Sequence, residues 1–280
     1  MKRAAGFAVG FAMVAQIAFA SDAVVRTVAF DLVHIRVPDT ARASAWYVTY
    51  LGALPTPAAH RVSIGRTIIS FVKTENAPPS TVIDHIGLSY ADLDAKMKDF
   101  AAGGAKITMA PRHVPGLFKL GFIEDPWGVK IEVVEDPESL GFHHVHLRVP
   151  DPEATLNWFQ QIFGGERGKL KGRLDGVRYP EHPDGYGGLS PGARSHGGVW
   201  VLALEHAGEA LAPSDLRMIY NIGFQVQDLH EATAALKSKG VEMLTEPRFV
   251  SMEGLPTGLA NVRGPDGVRI ELLQRSKDKE

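Results

Sequence analysis

Four short segments of the chain alternate apolar and polar residues. The first and third read DLVHIRVPD at residues 31–39 and HHVHLRVPD at residues 143–151. The other two begin at Asp84 and Tyr220, and each contains the pattern polar, apolar, Gly, apolar, polar. Alternation over this length predicts a β-strand with one face on the core. The chain therefore contains four equivalent predicted strands.

A helical pattern follows each of these strands. The predicted helices cover residues 40–51, 93–102, 152–163 and 229–239. Each starts at an Asp or Thr and stops at a Gly, as the unpaired amides and carbonyls of helix ends favour.

Further strands follow each helix, and the second and fourth copies are closely alike. Residues 124–132 (EDPWGVKIE) match residues 263–271 (RGPDGVRIE), and in both a tight turn leads into a final strand. The order of strand, helix and several strands thus occurs four times. Such a unit covers one face of a curved sheet with its helix, so paired units would enclose a cleft between their open faces.

The composition is that of an ordinary globular protein. The chain has 280 residues, 45% hydrophobic residues and a formal net charge of −2, enough for one large domain or two smaller ones. This balance gives no reason to expect nucleic acid or an anionic membrane as a partner. Because cysteine is absent, disulfides, thiolate metal sites and a cysteine nucleophile are excluded.

Residues 1–20 have the features of a secretory signal peptide. Lys2 and Arg3 precede an apolar stretch, and residues 18–20 (AFA) fit the small-x-small cleavage pattern. The stretch is broken by Gln16, whereas a membrane-spanning helix needs about 20 apolar residues. We expect an exported protein, periplasmic in a Gram-negative cell, with no membrane attachment after cleavage.

Strand alternation also predicts a metal site. His34 lies opposite the apolar face of its strand, and His85 and Glu132 fall on the open face of the second unit. A single strand histidine is usually an ordinary polar residue, but these three occupy equivalent positions in repeated units. Two imidazoles and a carboxylate suit a first-row divalent ion. We therefore predict that His34, His85 and Glu132 bind one Fe(II), Mn(II), Ni(II) or Zn(II) ion.

The segment FIEDPWGVKIE, residues 122–132, resembles the closing strand of a domain of the vicinal-oxygen-chelate superfamily. This superfamily includes glyoxalase I, extradiol dioxygenases and bleomycin resistance proteins, and the resemblance covers nearly all of residues 28–275. It implies an α+β fold of four βαβββ modules that pair into two tandem incomplete barrels. The first would comprise residues 24–137 and hold the metal, and the second would comprise residues 138–277. The family also includes modules that pair across the two halves, and such a swap would join different histidines.

The resemblance places the family's ligands on the first and last strands of the modules, at His34, His85 and Glu132. Ser70 stands where glyoxalase I carries a glutamate that binds the metal and moves the substrate proton, and a serine does neither comparably. A His-His-Glu set resembles that of extradiol dioxygenases. However, Phe122 replaces a tyrosine of the extradiol signature.

Three further features leave alternatives open. His113, before the closing strand, is the candidate acid or base beside the metal; the alternative is an exposed loop histidine. In the second half Asn221 replaces the second histidine, so that cleft is expected to be empty or weakly metallated. Residues 169–198 form a long loop that is either a lid or merely flexible. The residues of the second half that match ligands, or might replace one, are His146, Glu271, His143, His144 and Glu205.

These features predict a metal-dependent enzyme whose small substrate chelates the metal through vicinal oxygens. The reaction would be ring cleavage of the extradiol type or lyase or isomerase chemistry of the glyoxalase type. The alternative is a protein that sequesters a small molecule without catalysis, as in bleomycin resistance. A homodimer is compatible with either reading.

Overall fold

The computed structural model describes residues 23–183, 197–252 and 255–275. Module 1 consists of β1 (Thr27–Val37), α1 (Thr40–Trp46), a π-helical turn (Tyr47–Leu51), β2 (Leu54–Pro55), β3 (Arg61–Ile64) and β4 (Thr67–Lys73). Module 2 consists of β5 (Ile83–Ser89), α2 (Leu93–Ala102), β6 (Lys106–His113), β7 (Lys119–Glu124) and β8 (Lys130–Glu135).

The second half repeats this order. Module 3 consists of β9 (Gly141–Val149), α3 (Pro152–Phe163), β10 (Glu166–Leu170), β11 (Leu174–Tyr179) and β12 (Val199–Glu205). Module 4 consists of β13 (Ile219–Val226), α4 (Leu229–Ser238), β14 (Met243–Met252), β15 (Leu255–Arg263) and β16 (Arg269–Arg275). Short 3₁₀ turns lie at Ser214–Leu216 and Pro265–Gly267. The predicted α+β fold of four βαβββ modules is confirmed.

Each α-helix begins after an aspartate that caps it. The carboxylates of Asp39, Asp92, Asp151 and Asp228 each accept a hydrogen bond from the backbone amide three residues further on. Such a cap satisfies one of the amides that a helix start leaves unpaired. The first predicted helix differs in its second half, which is the π-helical turn and ends at Gly52 with a φ of 74°.

The strands form two eight-stranded sheets. Sheet A has the order β14-β15-β16-β13-β1-β4-β3-β2, and sheet B has the order β10-β11-β12-β9-β5-β8-β7-β6. Sheet A therefore joins modules 1 and 4, and sheet B joins modules 2 and 3.

This pairing corrects the expectation that each half of the sequence forms its own barrel. The central contact of sheet A is the antiparallel pair β1–β13, and that of sheet B is the antiparallel pair β5–β9. Residues 24–137 and 138–277 remain the two sequence repeats, but each repeat supplies half of both sheets. The first strands of all modules carry the same alternation, so the pattern of one module does not specify its partner.

Modules that belong to different sheets pack against each other behind the sheets. Phe30 of module 1 and Phe142 of module 3 stack at a centroid distance of 5.9 Å. The Tyr47 hydroxyl donates a 2.9 Å hydrogen bond to the buried carboxylate of Asp125 in module 2. One continuous apolar core contains residues from all four modules. Both sheets thus direct their apolar faces to this core, and their other faces lie away from it.

The predicted loop at residues 169–198 is in part regular structure. β10 and β11 form an antiparallel hairpin, and β11 continues onto β12 of sheet B. Residues 184–196 lie outside the described ranges, as do residues 1–20 with the predicted signal peptide. None of the described helices is long and apolar enough to span a membrane.

Candidate metal centre

Four buried side chains converge on the open face of sheet B. They come from three adjacent strands, because β5 lies between β8 and β9. One ligand atom from each side chain lies within 4.8 Å of all the others. We call this group the sheet B cluster, and its members are His85 of β5, Glu132 of β8, and His144 and His146 of β9.

A β-bulge in β9 places a further histidine, His143, next to this group. Gly87 pairs with His144 and Leu88 pairs with Phe142, so His143 is one residue too many between the two pairs. A bulge of this kind bends the strand and redirects side chains. The rings of His143 and His144 consequently meet, with their Nδ1 atoms 2.8 Å apart.

Asp84 and Glu132 orient His85. Its Nδ1 lies 2.6 Å from Asp84 Oδ1, and its Nε2 lies 3.0 Å from Glu132 Oε2. Lys130 and Arg148 in turn contact the Asp84 carboxylate. Burial alone would lower the pKa of His85, but the hydrogen bonds to Asp84 and Glu132 outweigh it and raise that pKa. A carboxylate behind a histidine nitrogen is the usual support of a metal ligand.

The other two histidines of the cluster have buried ring nitrogens without a hydrogen-bond partner. Both ring nitrogens of His146 are buried and unpartnered. His144 Nε2 lies 3.3 Å from Glu132 Oε2 but without the geometry of a hydrogen bond. Burial lowers the pKa of His144 to about 4 and that of His146 well below its ordinary value. Both rings are therefore neutral and present lone pairs.

This arrangement fits a divalent cation. Burial alone would raise the pKa of Glu132, but the contacts with His144 and His85 outweigh it and keep the carboxylate ionised. A buried carboxylate beside unpartnered lone pairs lacks the counter-charge that burial demands. Three imidazoles and one carboxylate are donors that first-row divalent ions accept.

The predicted set of three ligands does not assemble. The structure brings His85 and Glu132 together, but it places His34 in sheet A. There His34 Nδ1 lies 3.1 Å from Asn221 Nδ2 and 3.5 Å from Glu271 Oε2. His34 and His85 lie on strands of different sheets because module 1 pairs with module 4. The position expected of His34 is taken by His146, which pairs with His85 across β5 and β9.

The corresponding polar group on the open face of sheet A, which includes His34 and Glu271, differs from the sheet B cluster in the protonation of its carboxylate. Burial, then the charges of Arg61 and Arg269, lower the pKa of His34 to about 3. Burial, followed by repulsion from Asp31, raises the pKa of Glu271 to about 7. A half-neutral carboxylate among arginines is a poorer cation site than Glu132.

His113 is exposed and lies at the end of β6, an edge strand of sheet B, where it pairs with Lys119. No described contact links it to the sheet B cluster. The loop alternative is also corrected, because His113 belongs to a strand.

From the sequence, His144 and His146 were assigned to the cleft of the second repeat. Their proximity to His85 was therefore missed. A signal was nevertheless present, since HHVH places three histidines within four residues. His144 and His146 are two residues apart on one strand and therefore share a face. Their partner module could not be read from that pattern.

Comparison with known proteins agrees with this architecture. The family model of the Glyoxalase/Bleomycin resistance protein/Dioxygenase superfamily matches residues 29–133 and 141–272. The chain belongs to this superfamily. The two matched regions coincide with the two sequence repeats.

Individual relatives are more distant. A probable chloroplastic lactoylglutathione lyase of Arabidopsis thaliana is 26% identical over 187 residues, which cover 65% of this chain and 50% of that protein. Glyoxalase I from Zea mays superposes with a TM-score of 0.65 at 17% identity, over 88% of this chain and 92% of that one. A putative dioxygenase from Bacillus subtilis superposes with a TM-score of 0.62 at 16% identity, over 90% and 87%. At these identities the structural matches establish the fold of the superfamily.

Proposed function

We propose that the chain is a metal-dependent enzyme in which the sheet B cluster holds one divalent ion. Its substrate would be a small molecule with two neighbouring oxygens. The observation that carries the proposal is the group of buried, unpartnered ring nitrogens of His144 and His146 beside the Glu132 carboxylate. In water-excluded surroundings the lone pairs of these rings and the ionised carboxylate favour a bound cation.

The residues of the site have two roles, which are metal binding and proton transfer. A bound divalent ion supplies Lewis-acid polarisation of the substrate oxygens. Asp84 orients His85, and His146 contributes its ring without any competing hydrogen bond. Glu132 is the carboxylate of the cluster and therefore its candidate base for a proton on the carbon next to a substrate carbonyl. Phe122 of β7 pairs with Glu132 of β8 and packs edge-on against His85. Its ring therefore shields both side chains from water.

Within the superfamily we favour lyase or isomerase chemistry over ring cleavage by dioxygen. If the bound ion were six-coordinate, the four protein donors would leave two positions for the two substrate oxygens and none for dioxygen. The position beside His146 on β12 is the apolar Leu202, so a second carboxylate is absent there. This departs from the two-glutamate pattern expected of glyoxalase I and leaves Glu132 as the single base. Similarity to a lactoylglutathione lyase supports the same class.

The first experiment is elemental analysis of the mature chain purified without chelators, beside His146→Ala and His34→Ala. These histidines occupy equivalent positions in β9 and β1, so the two variants are matched. We expect about one ion per chain, lost in His146→Ala and kept in His34→Ala. No uptake of Fe(II), Mn(II), Ni(II) or Zn(II) by the wild-type chain would overturn the enzyme proposal.

The second experiment identifies the reaction with the metal that the first one finds. The screen includes lactoylglutathione, the compound in the name of the Arabidopsis relative, and a catechol under measured dioxygen. Proton transfer within the site predicts exchange of a substrate hydrogen with solvent deuterium in the metal-loaded wild-type chain. Consumption of dioxygen would instead identify a dioxygenase.

A sequestering protein is the second candidate, because one wall of the cleft is apolar. Leu202 lies beside His146, and Val134 lies on the same face as Glu132. Both belong to a cluster with Phe118, Leu120 and Leu170 that is separate from the main core. Such a wall suits a bound apolar group as well as a reacting one. Tight binding of a small molecule without turnover or metal would favour this candidate.

We also propose that residues 1–20 direct export and that the mature chain is periplasmic in a Gram-negative cell. The support is the sequence pattern of Lys2, Arg3 and the AFA segment at residues 18–20. Intact mass of the chain recovered from a periplasmic extract tests this, with Ser21 as the expected first residue. A full-length chain confined to the cytoplasm would contradict it. The homodimer remains a prediction.

A further inference from the structure

His143 lies behind the sheet B cluster and is completely buried. Its Nδ1 contacts His144 Nδ1 at 2.8 Å, and its Nε2 lies 3.4 Å from Asp136 Oδ2. Phe118 packs edge-on against the ring at a centroid distance of 5.5 Å, which fixes the ring plane. His143 therefore connects a carboxylate at the end of β8 with one of the four candidate ligands.

The ionisation of Asp136 determines the direction of these hydrogen bonds. Lys171 Nζ lies 3.0 Å from Asp136 Oδ1. The ammonium group of Lys171 at this distance favours the ionised form of the Asp136 carboxylate. An ionised carboxylate only accepts hydrogen bonds, so His143 Nε2 must donate.

The rest of the chain of hydrogen bonds follows from the two neutral tautomers of histidine. A His143 ring with a single proton, on Nε2, has a lone pair on Nδ1. That lone pair accepts from His144, which must then carry its own proton on Nδ1. His144 Nε2 is left with a lone pair directed at Glu132 Oε2, 3.3 Å away.

We propose that His143 carries a single proton, on Nε2, and that it and Asp136 are positioning residues that hold His144 in the Nδ1–H tautomer, with Nε2 ready to bind the metal. The inference rests on the proposed function for the identity of the bound group. It adds a positioning role to two residues that do not themselves touch the ion. The same principle operates where a second nitrogen of a ligating histidine is hydrogen-bonded, which sets its tautomer and ring orientation.

Sheet A shows that this pairing is specific to the sheet with the cluster. Asp31 is the corresponding bulge residue of β1, between the pairs Phe30–Phe224 and Leu32–Gly223. It forms a 3.0 Å ion pair with Arg275, near the end of β16. The residue that follows the bulge there is the apolar Leu32 instead of a histidine. A buried bulge pair thus occurs in both sheets, but only the sheet B pair ends on a candidate ligand among the described residues.

The direct test is long-range ¹H–¹⁵N NMR of the histidine rings in the full chain stripped of metal. We expect His144 as the Nδ1–H tautomer and His143 as the Nε2–H tautomer, with assignments made from single variants. In His143→Phe, which keeps a ring against Phe118, the His144 tautomer should shift toward Nε2–H. This readout requires no metal, so it stands even if the proposed function fails.

The second test is the dissociation constant of Zn(II), measured by competition with a chromophoric chelator. We expect His143→Phe to weaken binding roughly 10- to 100-fold and Asp136→Asn to weaken it less, in the same direction. Arg275→Gln, which breaks the corresponding pair in sheet A, is the matched control for general destabilisation. It should leave the constant within a factor of two or so of wild type, on the order of measurement error for a distant site.

The outcomes separate the two proposals. An unchanged His144 tautomer and Zn(II) constant in His143→Phe would overturn the positioning role while leaving the metal site intact. Equal weakening in His143→Phe and Arg275→Gln would also overturn it, because it would show general destabilisation. Failure of the wild-type chain to bind Zn(II), Mn(II), Ni(II) or Fe(II) would overturn the proposed function instead. If His143→Phe does not fold, Asp136→Asn gives the same two readouts.

Discussion

Gly87 and His144 lie so close that a Cβ atom on Gly87 would stand 2.1 Å from the imidazole ring. The ring therefore lies across the backbone of β5 at the one kind of residue that leaves room for it. Gly223, the equivalent position in sheet A, faces Leu32, and a Cβ atom there would approach the Leu32 side chain to 2.9 Å. The same small residue thus admits an imidazole in one sheet and an aliphatic side chain in the other.

Gly87→Ala should displace His144 and weaken metal binding. The new methyl group cannot coexist with the ring, so the ring must move away from Glu132. We expect the dissociation constant of Zn(II) to rise at least roughly 10-fold. Chelator competition measures it, with Gly223→Ala as the matched control that crowds a flexible leucine instead. Equal constants for the two variants would contradict the role of His144 as a ligand.

Metal should stabilise the fold through the sheet B cluster. A ligand that binds only the folded chain, at 100 times its dissociation constant, adds about 2.7 kcal/mol to the free energy of unfolding. We therefore expect calorimetry to show a Tm that rises with added metal and falls again with a chelator. Glu132→Gln should abolish this shift, whereas Glu271→Gln at the equivalent position of sheet A should retain it. A shift lost in both variants would place the ion elsewhere.

Tyr47→Phe should destabilise the contact between modules 1 and 2. The variant removes a buried 2.9 Å hydrogen bond to Asp125 and leaves that carboxylate with one donor fewer. We expect a loss of about 1 to 3 kcal/mol in the free energy of unfolding, measured with urea. The control is Tyr50→Phe, since the Tyr50 hydroxyl makes no hydrogen bond within the described residues. Equal effects of the two substitutions would show that the hydrogen bond adds nothing.

Asp125 should make stability depend on pH. Burial raises its pKa from 3.8 to about 6, although the backbone amide of Val129 and the Tyr47 hydroxyl oppose the shift. Because the pKa is raised on folding, this contribution is complete below about pH 4 and is lost as pH rises through 6. Relative to Asp125→Asn, the wild-type chain should lose about 3 kcal/mol between pH 4 and pH 7. Parallel stability curves for the two chains in urea would contradict the shift.

The candidate site could be predicted from the sequence only in part. His85 and Glu132 belong to modules whose strands the alternation identified, and both lie on the predicted open face. His34 shares that alternation but belongs to the other sheet. His144 was missed because its contribution depends on the pairing of β9 with β5, and on Gly87 of β5 leaving room for its ring. Neither feature alters the alternation of polar and apolar residues.

By itself the sequence determined the four modules, their helix caps and the faces of their strands, because each depends on residues within one turn or one strand. Asp92 caps its helix, and His146 and Leu147 point to opposite faces of their strand, independently of the rest of the chain. Only the tertiary structure decided which modules share a sheet. His34 and His146 occupy equivalent positions in strands with the same alternation, so local pattern offers no energetic distinction between their partners. That choice depends on the packing of the whole core behind both sheets, and it alone brings His146 to His85.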